Sequence, residues 1–143
     1  MTPFPHQAGC VAIGGRGLLI EGAPGLGKSS LALALIDRGA QFIGDDSVLL
    51  TPHDGRLLAS PHPATRGLIE IRGLGLVPLP TCESAPIALL LRLAPDAPRY
   101  IESAPHTHLG GIPLPTITLY PDPATLPLRA QWALRHHGLI WPT

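Results

Sequence analysis

The chain has no excess charge of either sign: across 143 residues Lys+Arg and Asp+Glu number 10 each. Nucleic-acid binders carry a clustered basic surplus, so that partner class is set aside. Long apolar runs are missing too. The longest, such as IALLL at 87–91, fall far short of the roughly 20 residues that a membrane-spanning helix needs. The opening MTPFPHQ lacks both the charged and the apolar regions of a signal peptide, and the expectation is a cytoplasmic protein with no membrane partner. Cysteine is scarce. Cys10 and Cys82 stand apart, without a CxxC or a His at ligand spacing, so two unpaired thiols are expected. Arginines are few and scattered, which counts against the Arg-rich lid of a nucleoside- or shikimate-type kinase. No internal repeat is visible. What is abundant is apolar residues, 45% of the chain, with 18 Pro and 16 Gly set between short apolar segments. That pattern suits one domain of many short elements joined by tight turns.

One stretch carries most of the chemistry. GAPGLGKSS at 22–30 fits the phosphate-cradling pattern G-x-x-x-x-G-K-[ST] through Gly22, Gly27, Lys28 and Ser29. It sits in the required context. GLLIE at 17–21 reads as a buried strand entering the loop, and KSSLALALIDR at 28–38 as a largely buried helix that Gly39 stops. The loop residues Gly22, Ala23, Pro24, Gly25, Leu26 and Gly27 offer backbone N–H groups as an anion nest. Lys28 would reach the β/γ-phosphates and Ser29 the Mg²⁺. The signal is strong for nucleotide and weak for the reaction: a kinase, a switch or a phosphorylator of another protein would all use it.

Two further stretches narrow the choice. Asp45 and Asp46 end the short strand QFIG at 41–44. A strand after a phosphate-loop helix usually returns beside the first strand, which would bring both carboxylates to the phosphates. They point to opposite sides of an extended chain, one toward metal and one toward an attacking hydroxyl. The plain alternative is a solvated turn. LIEIRGLGLVPL at 68–79 reads as strand, Gly-rich bend and strand. Glu70 and Arg72 would share a strand face as metal carboxylate and phosphate-binding guanidinium, or else form an exposed ion pair. Elsewhere, hairpin strands are expected at 47–51 and 56–60, a central strand at 86–93, an edge strand within 95–103, a loop over 103–115 and a strand at 116–120. A C-terminal amphipathic helix is expected over 126–138. His106 and His108 lie in the expected loop with no carboxylate or thiol near, and metal binding is not expected there.

Taken together, GAPGLGKSSLALALIDRGAQFIGDD and LIEIRGLG resemble the catalytic domain of the bacterial HPr kinase/phosphorylase family. The likeness runs from about Val11 to Val77. Arg38-Gly39 and Asp45-Asp46-Ser47-Val48 keep the family spacing, and E-I-R-G-L-G stands verbatim at 70–75. The resemblance implies an α/β P-loop fold related to phosphoenolpyruvate carboxykinase, a mixed sheet with flanking helices. It also implies one kinase catalytic domain over 1–143 without an N-terminal regulatory domain, and a hexamer. The implied activity is ATP- and Mg²⁺-dependent phosphorylation of a serine of HPr, the small phosphocarrier of the sugar phosphotransferase system. Asp46 matches the base of the kinase direction and the acid of the reverse. Asp45 matches its acidic companion and Glu70 a Mg²⁺ ligand. His6 is the candidate for a family His before the first strand, one residue out of register. The family's late arginine has no counterpart in TLYPDPATLP at 118–127, and Arg129 is a poor substitute by position. That leaves the reverse, dephosphorylating reaction open. It also keeps in play a non-enzymatic nucleotide-binding regulator that docks HPr or a sensor kinase. By exclusion, the 108–115 loop and the C-terminal helix are the candidate docking surfaces.

Overall fold

The computed structural model describes residues 2–141. The chain runs β1 (Phe4–His6), β2 (Gly9–Ile13), β3 (Arg16–Gly22), α1 (Lys28–Asp37), β4 (Gln41–Gly44), β5 (Val48–His53), β6 (Arg56–Pro61), β7 (Leu68–Ile71), β8 (Gly75–Pro78), β9 (Ala85–Leu93), β10 (His106–Leu109), β11 (Ile112–Leu119) and α2 (Leu126–His137). Among the described residues nine strands form one mixed sheet, in the order β1-β5-β6-β9-β3-β2-β4, with β11 also joined to β9 and β10 to β11. The expected mixed α/β class with two main helices holds.

Strand β9 organises the sheet. Its apolar run is buried on both faces, as a central strand must be. One edge pairs parallel to β3. The other edge is shared: Ala85 and Pro86 pair antiparallel with β6, and Leu90–Leu93 pair parallel with β11. The register with β3 slips between Gly17 and Leu18, a bulge that leaves Ala88 as the extra residue. Ala88 keeps its carbonyl occupied by accepting from the N–H of Leu139, beyond α2.

Alternation then sorts the strands into two cores. Val11, Leu18, Ile20, Leu89 and Leu91 meet Leu31, Ala32 and Leu35 of α1 and Leu126, Ala130 and Leu134 of α2. Cys10, Ala12, Leu19 and Leu90 face the other way, where the sheet curls so that Val48, Leu50, Leu57 and Ala59 close over them. Helix α1 ends as the sequence expects. Gly39, at φ 105, donates to Ile36 O and Ala40 to Leu35 O, the paired bonds that satisfy the last carbonyls of a helix.

Four expectations need correction. No strand lies within 95–103. The Pro95, Pro98 and Asp96 that punctuate this stretch outweigh its short apolar content. The segment 103–115 is not a loop but holds β10 and the start of β11, a hairpin whose turn is Gly110-Gly111, both at positive φ. Strand β4 does not lie beside β3: β2 is inserted between them, antiparallel to each, so β3 and β4 still run the same way. Arg72 belongs to the turn after β7, not to the strand. Helix α2 spans the expected residues, but Leu128 and Trp132 stay about half exposed while Ala130 and Ala133 are buried. Both cysteines are free thiols. Burial pushes the Cys10 thiol well above its usual range, with the Cys82 sulfur adding to it.

Candidate active site

The phosphate loop leaves β3 at Gly22, where a Cβ would stand 3.1 Å from Leu93 O and 3.2 Å from Leu93 Cβ. Gly25 and Gly27 both hold positive φ, 84° and 95°, and Gly27 is the residue before the first turn of α1. Leu26 is not part of the lining; it packs against the helix-side core and anchors the loop. Lys28 Nζ donates to the carbonyls of Gly22 at 2.8 Å and Ala23 at 3.1 Å. The ammonium therefore sits across the mouth of the loop.

A cleft of about 1060 Å³ opens over this loop. Its walls include Gly22, Pro24, Gly25, Gly27, Lys28 and Ser29 from the loop, Asp45 and Asp46, Glu70 and Arg72, and His6. Of the residues expected in the site, only Ala23 and Leu26 do not line it.

Asp45 ties the three motifs together. Its Oδ1 accepts from Ser29 Oγ at 2.5 Å, and its Oδ2 accepts from the backbone N–H of Glu70 at 2.8 Å. The two bonds engage both carboxylate oxygens as acceptors. Asp46 is exposed on the cleft and, among the described residues, makes no side-chain hydrogen bond. Both residues lie in the bend after β4, not in an extended strand, and both line the cleft, so strand alternation does not set them on opposite sides. Asp45 is tied to Ser29, and the Asp46 carboxylate stands free of the described side chains.

Glu70 reaches the cleft because its neighbours do not. Ile69 is fully buried in the helix-side core, with Ile71 and Val77 packed against it. That anchors the hairpin β7–β8 under α1 and turns Glu70 to the opposite face. The turn that follows bonds Leu74 N–H to Ile71 O and needs positive φ at Gly73 (88°) and Gly75 (94°). Any other residue there would strain the turn, which explains both glycines of E-I-R-G-L-G.

His6 owes its place to a strand that the sequence reading did not find. β1 pairs with β5 in the register His6↔Val48. The strand that follows the Asp pair therefore carries His6 to the cleft. Gln7 and Ala8 link this strand to β2. His6 Nε2 lies 2.6 Å from Glu21 Oε2, and Arg92 Nε donates to Glu21 Oε1 at 3.3 Å. Glu21 and Arg92 were missed. A carboxylate just before the first glycine of a phosphate loop was a visible oddity. Arg92 is beside it only through the β3–β9 register, Glu21↔Arg92.

The hydrogen bond from His6 comes first in holding the Glu21 carboxyl below its ordinary value of 4.5; the charges of His6 and Arg92 and the Arg92 hydrogen bond help, and burial opposes them. A carboxyl lowered in the folded state stabilises the fold fully above 4.5, and that stability is lost as pH falls through the lowered value. Wild type is therefore expected to melt at a higher temperature than Glu21→Gln at pH 7, and the gap to close on the acid side of 4.5. Melting curves from pH 7 to 3 check this; a gap that is constant with pH would refute it.

Among the described residues no group of three or more His, Cys, Asp or Glu gathers as a metal cage, and no helix is long and apolar enough to cross a membrane. Comparisons agree with this geometry. The family model for the HPr serine kinase C-terminal domain matches residues 4–82. The HPr kinase/phosphorylase of Mycoplasma mycoides is 45% identical over 71 residues, which cover 50% of this chain and 23% of that protein. That of Clostridium tetani is 42% identical over 71 residues, with the same shares. The chain thus matches about a quarter of the length of these curated relatives. The solved structure of the Hpr(Ser) kinase/phosphatase from Coxiella burnetii superposes with a TM-score of 0.82 at 27% identity, covering 92% of this chain and 94% of that one. A phosphate loop, an Asp pair and an E-I-R-G-L-G hairpin joined through Asp45, inside a stretch that the family model matches over more than half the chain, place it: the chain belongs to the HPr serine kinase C-terminal domain family.

Proposed function

We propose that this chain transfers the γ-phosphoryl group of ATP to a serine hydroxyl of an HPr-type phosphocarrier, with Mg²⁺. The observation that carries the reading is Asp45, which links Ser29 of the phosphate loop to the backbone of Glu70. Nucleotide loop and signature hairpin thereby form one cleft, with a free carboxylate, Asp46, on its wall.

In the forward direction the serine oxygen bonds to the γ-phosphorus as the bridging bond to ADP breaks, and Asp46 takes the hydroxyl proton. Lys28 and the loop amides offset the developing charge. Ser29, Asp45 and Glu70 are hard oxygen donors, which suit Mg²⁺; that ion keeps waters and phosphate oxygens and needs only one or two carboxylates from protein. When bound, Mg²⁺ supplies charge neutralisation across the phosphates. Arg72 is the guanidinium on the cleft. Arg129, in contrast, donates to Tyr120 O at 2.7 Å and Asp122 O at 3.3 Å, lining a separate hollow with Pro95 and Arg99. The proposal therefore covers the kinase direction. It includes a cytoplasmic homo-oligomer, hexameric by the family likeness, without nucleic acid or membrane as partner.

Incubation with γ-labelled ATP, Mg²⁺ and purified HPr, followed by mass mapping, tests it. The expected result is one phosphoserine on HPr. Nucleotide binding without transfer would instead make the chain a regulator, and label on a small molecule would make it a metabolite kinase.

A further inference from the structure

A carboxylate beside a phosphate loop repels the ligand it adjoins, so Glu21 calls for an explanation. It closes β3 directly before Gly22 and lines the same cleft as His6. Its two oxygens are both engaged: Oε2 with His6 Nε2 at 2.6 Å, Oε1 with Arg92 Nε at 3.3 Å. The His6 and Glu21 side chains are only 22% and 20% exposed. Such a pair is sheltered enough to keep a fixed geometry, unlike an ion pair at the open surface.

We infer that Glu21 is a positioning residue: it fixes the His6 imidazole with the proton on Nε2, so that Nδ1 is the ring nitrogen presented to the reacting phosphate and serine. An ionised carboxylate can only accept, so the nitrogen that faces it at 2.6 Å must carry the hydrogen. Among the described residues Nδ1 has no protein partner. A carboxylate that orients an imidazole by its far nitrogen is a general device for setting which nitrogen does the work. Arg92 serves the same end. It holds the second oxygen and offsets the negative charge that would otherwise oppose the triphosphate at Gly22. Strand pairing supplies the frame, because His6 is set by the β1–β5 register and Glu21 with Arg92 by the β3–β9 register.

The kinetic part of this inference rests on the phosphotransfer reading above; the geometric part does not. The test uses ¹⁵N-labelled protein and long-range imidazole ¹H–¹⁵N spectra, with the His6 signal assigned by its loss in His6→Ala. Wild type is expected to show His6 protonated at Nε2. In Glu21→Gln the preference is expected to vanish, because an amide can donate to Nε2 as well as accept from it. Steady-state assays should show kcat lowered about 10- to 100-fold in Glu21→Gln, the usual cost of losing an orienting partner, with KM for ATP changed less than about 3-fold. The double variant should be no slower than His6→Ala alone. A wild-type ring protonated at Nδ1 with Nε2 bare overturns the inference without any variant. So does a Glu21→Gln ring that keeps the wild-type signature, or losses that multiply in the double variant. If wild type moves no phosphate to HPr, the kinase reading falls. The ring spectra then decide the role of Glu21 alone.

Discussion

Asp46→Asn is expected to slow phosphoryl transfer to HPr by about 10²- to 10⁴-fold, the range for removing a positioned general base. ATP affinity should stay within about 2-fold of wild type. The two halves follow from different contacts. Asp46 is exposed on the cleft and, among the described residues, holds no other side chain in place. Its amide isostere therefore has nothing structural to break. What it removes is the carboxylate proposed to accept the serine proton. Ser29 is held by Asp45, and Lys28 by the carbonyls of Gly22 and Ala23, none of which the substitution touches. Losing one negative charge near the triphosphate would favour nucleotide binding if it does anything. The checks are initial rates with labelled ATP and a titration with a fluorescent ATP analogue. Transfer at the wild-type rate would remove Asp46 from the role of base.

Much of the site was legible because its signals are local. A glycine at positive φ, a Lys and Ser at the start of a helix, and a verbatim E-I-R-G-L-G each depend on a few consecutive residues. The cradle, the Asp pair and the hairpin fall where the sequence places them. The rest depends on which strands pair. The insertion of β2 between β3 and β4 is a choice of partner across the sheet, and β2 (GCVAI) shows no alternation that would announce it, since both its faces are buried. β1 is only three residues, FPH, and contains a proline; its identity as a strand comes from the edge of β5 that it covers. His6 was consequently placed by analogy, while the register that brings it to the cleft was invisible. Glu21 and Arg92 are 71 residues apart and meet only because β3 and β9 run parallel in one register. The β10–β11 hairpin was hidden by composition. HTHLGGIPLP reads as a turn-rich loop until Gly110-Gly111 is seen as the turn of a hairpin.

The strongest separation of structure from chemistry in this cleft is expected at Asp45. It makes two hydrogen bonds that serve different ends. The bond from Ser29 Oγ places a carboxylate beside the hydroxyl proposed to hold Mg²⁺, and the bond from Glu70 N–H fastens the signature hairpin to the phosphate loop. An asparagine can keep both contacts, accepting from Glu70 N–H with its oxygen and donating to Ser29 Oγ with its amide. It cannot keep the charge. Asp45→Asn is therefore expected to weaken the affinity for Mg²⁺ in the presence of ATP, with about 10-fold or more Mg²⁺ needed for half-saturation, while the hairpin stays put. Asp45→Ala removes both contacts. It should show the same metal defect and, in addition, free the Glu70 amide, which then loses the Asp45 side-chain acceptor. A net hydrogen bond to a charged group is worth about 1.5–3 kcal/mol. Where Glu70 exchanges through local opening, protection of its amide should fall by roughly one to two orders of magnitude in the alanine variant and little in the asparagine one. Site-resolved hydrogen exchange read alongside Mg²⁺ titrations distinguishes the two roles. Equal protection of Glu70 in both variants would mean that the hairpin is held by Ile69 in the core alone. Asp45 would then act on the metal side only.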